Sequence, residues 1–186
     1  LETTSANVGV IEKGGVRFVH NYGADNLFMG LGAGNFTNDL GGRCIGLGNY
    51  TLSALTSGSN CIAIGYIALA NNLSGSSNVA IGDISLSNNT TGQQNTGLGQ
   101  SSLSTNIIGS SNTALGAYTL VNSTVSQNTA VGATSQQENL TGLRDTSVGY
   151  QSLTNNTVGN DNTANGHRAL YINTASFNTA TGSLAL

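Results

Sequence analysis

The sequence predicts an all-β fold, a parallel β-solenoid of about ten coils, and two observations carry this prediction. The first is a glycine that recurs at intervals of 16 or 17 residues along most of the chain. The second is a set of chemically uniform positions around this anchor glycine. Such a period is too short for a repeat of two helices but suits one coil of a β-solenoid. The anchors are Gly32, Gly48, Gly65, Gly82, Gly99, Gly116, Gly132, Gly149, Gly166 and Gly182.

The positions before the anchor predict a short strand. Position −1 is aliphatic except at Asn165 and Thr181, position −2 is small, and position −3 changes from aliphatic residues to Thr from Thr96 onward. Alternation places the −3 and −1 side chains on one face and the −2 side chain on the other. The small −2 column is compatible with close approach of another sheet, either from another chain or from the opposite wall of the same coil.

The positions after the anchor predict the core and the corners. Position +4 is Leu in eight of the ten coils, and stacked coils would align these residues into one continuous core. The remainder of each coil is rich in Asn and Gly, which favours tight turns around a second short strand. With strands about 4.8 Å apart, ten coils would form a rod roughly 50 Å long.

The chain divides into two parts. Residues 1–25 lie outside the repeat and are typical of a β-hairpin, with a turn at residues 12–15, that caps the open edge of the first coil. Residues 26–186 form the repeat domain. The sequence lacks an initial Met and ends within a coil, so we expect a processed or excised segment whose repeat continues in the parent protein.

Composition excludes several classes of function. The net charge is −3, only 7% of residues are charged, and no basic run exists, so nothing indicates nucleic-acid binding. No apolar stretch is long enough to cross a bilayer. A flexible linker of similar composition would not keep a register over 150 residues, so the periodicity favours a folded rod.

Nothing in the sequence predicts an enzyme, a cofactor or a metal site. His20 and His167 have no catalytic partners nearby in sequence, and no column repeats an acidic residue. "GLGAGN" at 30–35 precedes no predicted helix, so it does not indicate a dinucleotide loop. Cys44 and Cys61 occupy position −4 of adjacent coils, where we expect two packed thiols in preference to a disulfide; zinc would need more ligands.

The coil motif resembles a known family of surface proteins. "NVAIG" at 78–82 and "NTALG" at 112–116 are similar to the head repeats of trimeric autotransporter adhesins of the Yersinia adhesin type, and to repeats of phage-tail-fibre-like bacterial surface proteins. The opening segments at 9–23 and 26–36 resemble the entry to such repeats. The adhesin coil is shorter, so the tail-fibre-like proteins are the better comparison. The resemblance implies a left-handed β-roll, an intertwined or side-by-side homotrimer, and binding in place of catalysis. On this basis we expect the small −2 column to receive a second chain in preference to the opposite wall of the same coil.

Two sets of residues are candidates for recognition. The first follows the anchor glycines at predicted corners, where amphipathic rings could contact glycans or pack between chains. The second is the pair Asn165 and Thr181, which marks either a hydrated end of the core or a polar ring at a threefold axis holding water or an anion. The segment 136–138 departs most from the repeat, and we interpret it as tolerated drift in preference to a recognition patch. The corner candidates are Tyr50, Tyr66, Tyr118 and Tyr150, together with His167 and Arg168, which have Asp161 nearby in sequence and which we interpret as a structural or solvent-facing pair in preference to a site.

Three functions compete at this point. The first is a structural and adhesive module of a trimeric fibre that recognises a host, prey or cell-surface glycan or protein, on a cell surface or a virion. The second is an ice-binding solenoid, because Thr recurs in one column, although only Thr179 and Thr181 form a paired row. The third is an enzyme on a solenoid scaffold, which lacks an acid–base constellation. We favour the first, with an extracellular location and no membrane insertion by this segment.

Overall fold

The computed structural model describes residues 10–23, 25–36 and 42–186, and its regular structure is entirely β. No helix occurs in these described ranges, and therefore no helix within them could span a membrane. The strands are β1 (Ile11–Lys13), β2 (Val16–His20), β3 (Leu27–Met29), β4 (Ile45–Leu47), β5 (Ile62–Ile64), β6 (Val79–Ile81), β7 (Thr96–Leu98), β8 (Thr113–Leu115), β9 (Thr129–Val131), β10 (Thr146–Val148), β11 (Thr163–Asn165) and β12 (Thr179–Thr181).

All twelve strands form one sheet in chain order. Strands β3 to β12 are parallel, and each pairs with the next in register, so that Thr96 lies opposite Thr113. The chain therefore makes about nine turns of roughly 17 residues each, which confirms the predicted parallel β-solenoid. The predicted second strand of each coil is wrong for the described residues, where the chain returns through turns and bends.

The core lies between the sheet and the Leu column. Ala114 at position −2 and Leu120 at position +4 are both fully buried. A Cβ added to Gly97, another −2 residue, would lie 2.7 Å from Ser85 Oγ, 2.9 Å from Ser102 Oγ and 3.5 Å from Leu86 Cδ1. The −2 side chains therefore point inward, against the opposite wall of the same solenoid. Our expectation that this column receives a second chain is wrong: the residues are small because the +3 serines and the Leu column fill the narrow interior behind them.

The anchor glycine is required by both conformation and stacking. Gly99 has φ +133, and a Cβ there would lie 2.5 Å from the carbonyl carbon and oxygen of Gly116. Residues other than glycine rarely adopt such φ values. The next coil also excludes a methyl group, so the periodic glycine marks the place where successive coils come closest.

The first coil differs from the predicted register. Its anchor is Gly30, not Gly32, because Met29 pairs with Leu47 and Gly30 has φ +140, similar to the later anchors. Position −2 then holds Phe28 and position +4 holds Gly34. A Cβ on Gly34 would lie 2.6 Å from the Phe28 ring, so this ring occupies the space that Leu fills in later coils. In this coil the large residue is therefore at position −2 and the small residue at position +4, the reverse of the later coils.

The Leu column has a left-handed backbone. The +4 residues from Leu52 to Leu170 have φ values of 48–50° or 52°, a conformation that is uncommon for residues other than glycine. Leu103 nevertheless donates its N–H to Thr119 O in the next coil and its side chain is fully buried. Inter-coil hydrogen bonds and apolar burial thus offset the local backbone strain.

Two buried ladders of asparagine line the interior beside the Leu column. At position −4, Asn95 Oδ1 accepts the Asn112 N–H at 3.0 Å, and Asn95 Nδ2 donates to Gly109 O at 2.8 Å. At position +7, Asn106 Nδ2 donates to Asn89 Oδ1 at 2.9 Å. Buried amides are costly unless paired, and these contacts extend between successive coils. The ladders explain why Asn dominates these positions.

A β-hairpin covers the edge of β3. Strand β1 pairs antiparallel with β2, and β2 pairs antiparallel with β3. The predicted turn at 12–15 is narrower in the structure, where only Gly14 and Gly15 link the strands, with φ +61 and +74. Positive φ at both positions is typical of a type I′ hairpin turn. His20 at the end of β2 is buried and its Nε2 lies 2.7 Å from Ala33 O.

Candidate functional site

Positions −3 and −1 of β3 to β12 form the outside of the parallel sheet, which we call the outer sheet face. Large apolar residues on it remain exposed, including Leu27 at 42%, Leu98 at 44% and Val148 at 41%. None of these ten strands contains a charged residue. An exposed apolar surface that extends along a molecule and lacks charge is typical of a contact surface.

The chemistry of the outer sheet face changes along the solenoid. Position −3 is aliphatic in β3 to β6 and Thr in β7 to β12, so an in-register Thr ladder covers the second part. Asn165 lies opposite Val148 and Thr181, and both Asn165 and Thr181 are exposed on this face. The interpretation of the pair as an end of the core is therefore wrong. A polar ring formed with other chains stays a prediction.

The predicted tyrosines lie at the corner that follows the sheet. Tyr50 and Tyr118 occupy position +2, and Tyr66 and Tyr150 occupy position +1; their exposed fractions range from 42% to 51%. Tyr50 and Tyr66 form an edge-on pair with ring centroids 6.3 Å apart. The corner therefore presents aromatic rings to solvent directly beside the outer sheet face.

His167 and Arg168 lie at the same corner but do not form a site with Asp161. The His167 ring stacks on Tyr150, with centroids 5.8 Å apart and planes 7° apart. The Arg168 guanidinium lies 4.1 Å from the Tyr171 ring centroid. Asp161 instead accepts two hydrogen bonds from Arg144, at 2.7 and 2.8 Å, and this contact lowers the pKa of Asp161. The structure thus separates residues that the sequence places close together.

A buried polar cluster, which the sequence did not predict, lies inside the coils that follow Gly132. Gln136 replaces Leu at position +4 and is fully buried; its Nε2 donates to Ser147 Oγ at 2.9 Å and to Thr129 O at 3.0 Å. Asn139 Nδ2 donates to Gln136 Oε1 at 3.1 Å. Gln136 is therefore not part of a surface patch, and the interpretation of 136–138 as tolerated drift stays a prediction. The sequence feature that could have revealed the buried cluster is the occurrence of polar substitutions in several columns of neighbouring coils.

Asp145 is the acidic member of this cluster and replaces Asn at position −4. It is fully buried, and its Oδ1 accepts the Asn162 N–H while its Oδ2 accepts Asn156 Nδ2, both at 2.8 Å. Burial raises the pKa of Asp145 to about 6, against the hydrogen bonds from Asn162, which lower it. Asp161 adds a smaller unfavourable interaction between like charges. A carboxyl group with this pKa changes charge inside the solenoid under mildly acidic conditions.

The described residues contain no grouping of three or more His, Cys, Asp or Glu side chains suited to a metal ion. His20 is buried, and desolvation lowers its pKa. Its ring contacts Phe28 and Phe36, with centroids 5.0 and 4.3 Å away, so it packs the hairpin against the first coil.

Comparison of the chain with protein-family models, curated proteins and solved structures finds no match.

Proposed function

We propose that this chain is a structural and adhesive module of a homotrimeric, fibre-like extracellular protein on a cell surface or a virion. The outer sheet face is the observation that carries the proposal. It exposes aliphatic side chains along the solenoid, as Ile45 and Leu98 illustrate with exposed fractions of 37% and 44%. The resemblance to trimeric surface proteins supports copies of the same chain as its occupants.

A second copy suits this face for a physical reason. Every copy has the same strand spacing of about 4.8 Å, so rows of side chains can interlock along the whole length without losing register. Charge is absent from the strands that form the face, so association would bury no unpaired ion. Position −1 would supply the apolar contacts, and the Thr ladder would supply hydroxyl groups toward the other end.

The corner tyrosines are the proposed recognition surface. Tyr66 and Tyr150 are each 51% exposed and lie beside the outer sheet face, outside the strands themselves. Flat amphipathic rings contribute large contact area while their hydroxyl groups form hydrogen bonds, as carbohydrate ligands require. In this arrangement the sheet assembles the fibre and the corners contact a cell-surface glycan or protein.

A glycan array with the intact chain and two variants tests the adhesive role. The double variant Tyr150→Ala/His167→Ala removes the stacked rings, and we expect at least a tenfold loss of glycan signal. The matched control, Gln100→Ala, changes an exposed residue at the same +1 position without removing a ring. Absence of glycan or cell-surface binding by the intact chain, or equal binding by both variants, would refute recognition at this corner.

Ice binding is the second candidate, and the Thr ladder favours it. Six Thr residues from β7 to β12 stand in register at position −3 of the outer sheet face. Their −1 neighbours are aliphatic in four of these strands, so a continuous two-row Thr surface is lacking among the described residues. We expect no thermal hysteresis. Clear thermal hysteresis that disappears in the variant Thr113→Leu would support ice binding over adhesion as the function.

A further inference from the structure

A groove of about 380 Å³ lies between the β-hairpin and the corner of the first two coils. The hairpin forms one wall, and the residues at position +1 of the two coils form the other. This volume falls within the roughly 300–1,000 Å³ of sites that hold small molecules. No role in the proposed fibre uses this groove. Its lining residues are Lys13, Val16, Arg17, Phe18, Leu31 and Asn49.

Hydrogen bonds between the two walls fix the shape of the groove. Phe18 O accepts the Gly30 N–H at 2.8 Å, which ties the hairpin to the first coil. Leu31 O accepts the Tyr50 N–H at 2.8 Å, and the Leu31 N–H donates to Asn49 Oδ1 at 3.0 Å. The bond to Oδ1 orients the Asn49 amide, whose Nδ2 has no partner among the described residues and remains a donor at the groove. The groove is therefore formed before a ligand binds, which lowers the cost of binding.

The groove concentrates positive charge on a molecule whose net charge is −3. Two of the five basic residues of the chain, Lys13 and Arg17, line it, and no acidic residue does. Glu12 lies opposite Arg17 in the hairpin, but the only ion pair among the described residues is that between Arg144 and Asp161. No described carboxylate therefore neutralises the charge at the groove.

The two basic side chains have different surroundings. The Arg17 guanidinium carbon lies 3.6 Å from the Phe36 ring centroid, so this group packs on an aromatic ring and acts on the groove only through its charge. The Lys13 ammonium lies 5.7 Å from the Phe18 ring centroid, near the outer limit of a cation–π contact. Because Lys13 is exposed and held only weakly, it is the group that can turn toward an anion in the groove.

Apolar surface accompanies this charge. Val16 and Leu31 are 45% and 39% exposed, and the Phe18 ring is partly buried. A pyranose ring has the matching chemistry, because its C–H groups pack on aromatic and aliphatic side chains while its hydroxyl groups form hydrogen bonds. An anionic substituent on that ring can pair with Lys13, and a hydroxyl oxygen can accept a hydrogen bond from Asn49 Nδ2.

We propose that the groove binds one sugar residue that carries an anionic group, a carboxylate or a sulfate, with Lys13 as its counter-ion. The choice of a sugar rests on the glycan recognition proposed above, whereas the need for a ring and an anion follows from the groove itself. An acidic glycan thus meets the protein at the hairpin, apart from the Tyr150 corner. The pair with Lys13 is exposed to solvent, so binding weakens as ionic strength rises.

Four ligands separate these requirements in NMR titrations of the intact chain at low salt. Methyl β-glucuronide and methyl β-glucoside differ only in the carboxylate, glucose 6-sulfate carries a sulfate, and propionate has a carboxylate without a ring. We expect the acidic sugars to bind about fivefold more tightly than the glucoside or propionate, as a partly exposed ion pair allows. The amide signals of Val16, Phe18, Leu31 and Asn49 should shift, and the tighter acidic sugar identifies the anionic group.

Matched variants test the counter-ion and the amide donor. Lys13→Gln removes a charge at an exposed position and should abolish the preference for acidic sugars, whereas Arg43→Gln removes the same charge outside the groove and should retain it. Asn49→Asp keeps the oxygen that accepts the Leu31 N–H but replaces the Nδ2 donor with a second oxygen. It should therefore weaken binding of the acidic sugars more than binding of the glucoside.

Several results would overturn the proposal. They are the absence of sugar binding, equal binding of the acidic sugars and the glucoside, an unchanged preference in Lys13→Gln, propionate binding as tight as that of the acidic sugars, or signal shifts confined to residues outside the groove. A failure here leaves recognition at the other corner intact if Tyr150→Ala/His167→Ala still loses its glycan signal. Acidic-sugar binding in the groove, with full glycan signal in that double variant, would refute the corner site alone.

Discussion

The coil that contains Leu103 and the coil that contains Gln136 have the same backbone but different interiors. Leu103 is fully buried, with Gly97 at position −2 of the same coil and Ala114 at position −2 of the next coil. Gln136 is buried to the same extent at the equivalent position, yet its amide donates to Ser147 Oγ and Thr129 O. The solenoid therefore accommodates a buried polar side chain where groups of neighbouring coils satisfy its hydrogen bonds.

The two coils share the backbone features that determine the path of the chain and differ in the side chains that fill the interior. The anchor glycines Gly99 and Gly132 have φ +133 and +123, and a Cβ on either would meet the carbonyl of the next anchor. Both +4 residues also share a left-handed backbone, at φ 52 and 49. Backbone stacking thus fixes the path of the chain in both coils, while the interior side chains set the stability and its dependence on pH.

The apolar coil should be the most sensitive to a cavity. We expect Leu103→Ala to lower the free energy of unfolding by about 3–4 kcal/mol, because a buried Leu leaves a void that the stacked coils cannot close. Urea denaturation measures this loss. The control Leu98→Ala removes a Leu that is 44% exposed on the outer sheet face. A loss below 1 kcal/mol for Leu103→Ala would show that burial in this column contributes little.

The polar coil should respond to pH through Asp145. Burial raises the pKa of this carboxyl from 3.8 to about 6 in the folded chain, so the folded state binds the proton more tightly than the unfolded state. The contribution of Asp145 to stability is therefore greatest below about pH 4 and falls by roughly 2 kcal/mol as pH rises through 6. Asp145→Asn places the usual residue of the column there, and we expect it to remove this loss and to stabilise the chain at neutral pH.

The difference between wild type and Asp145→Asn isolates this effect. Desolvation lowers the pKa of His20, which acts in the opposite direction, but that contribution is common to both proteins. Arg144 and Asp161 are the charged neighbours that interact with Asp145, and both variants retain them. Parallel pH profiles for the two proteins would contradict a buried, proton-binding Asp145.

Substitutions of Gln136 and Ser147 should have non-additive effects on the free energy of unfolding, because the two side chains are in contact. The double variant Gln136→Leu/Ser147→Ala restores the residue types of the apolar coils, whereas each single change leaves a polar partner buried with fewer hydrogen bonds. We expect an interaction free energy of about 1 kcal/mol in the double-mutant cycle. Strict additivity of the two single changes would mean that the polar interior is not a connected network.

The smallest effect should come from the exposed charges of the same region. Arg144 donates two hydrogen bonds to Asp161, but the side chains remain 52% and 28% exposed. Solvent screens such a pair, so Arg144→Ala should leave the Tm unchanged within error. A clear decrease in Tm would mean that the exposed ion pair contributes to stability, which contradicts the view that the interior side chains of this coil determine it.

The sequence predicted the architecture because each coil repeats the same few constraints. The anchor glycines, the Leu column and the alternating strand recur often enough that the correct fold follows even where single residues depart from the pattern. It failed in the first coil because Phe28 and Gly34 exchange the sizes found elsewhere, which concealed Gly30 as the anchor. It also misassigned the −2 column, since small size alone does not reveal which wall a side chain faces.

The candidate sites were less predictable than the fold. The sequence placed the tyrosines at corners, and the structure locates them beside the outer sheet face. It could not show that Asp161 pairs with Arg144, because that contact joins residues 17 positions apart through stacking. The buried cluster around Gln136 was visible only as separate substitutions whose contacts depend on how consecutive coils face each other.

The mass of the native protein in solution tests the central claim, that the outer sheet face joins copies of this chain. Light scattering coupled to size-exclusion chromatography should give three times the chain mass for the wild type. Leu98→Lys/Leu115→Lys, which places charge on the face, should give a folded monomer, while the control Ile172→Lys, at a position 71% exposed outside the strands, should leave the trimer intact. A wild-type protein that remains monomeric at all concentrations would contradict the account.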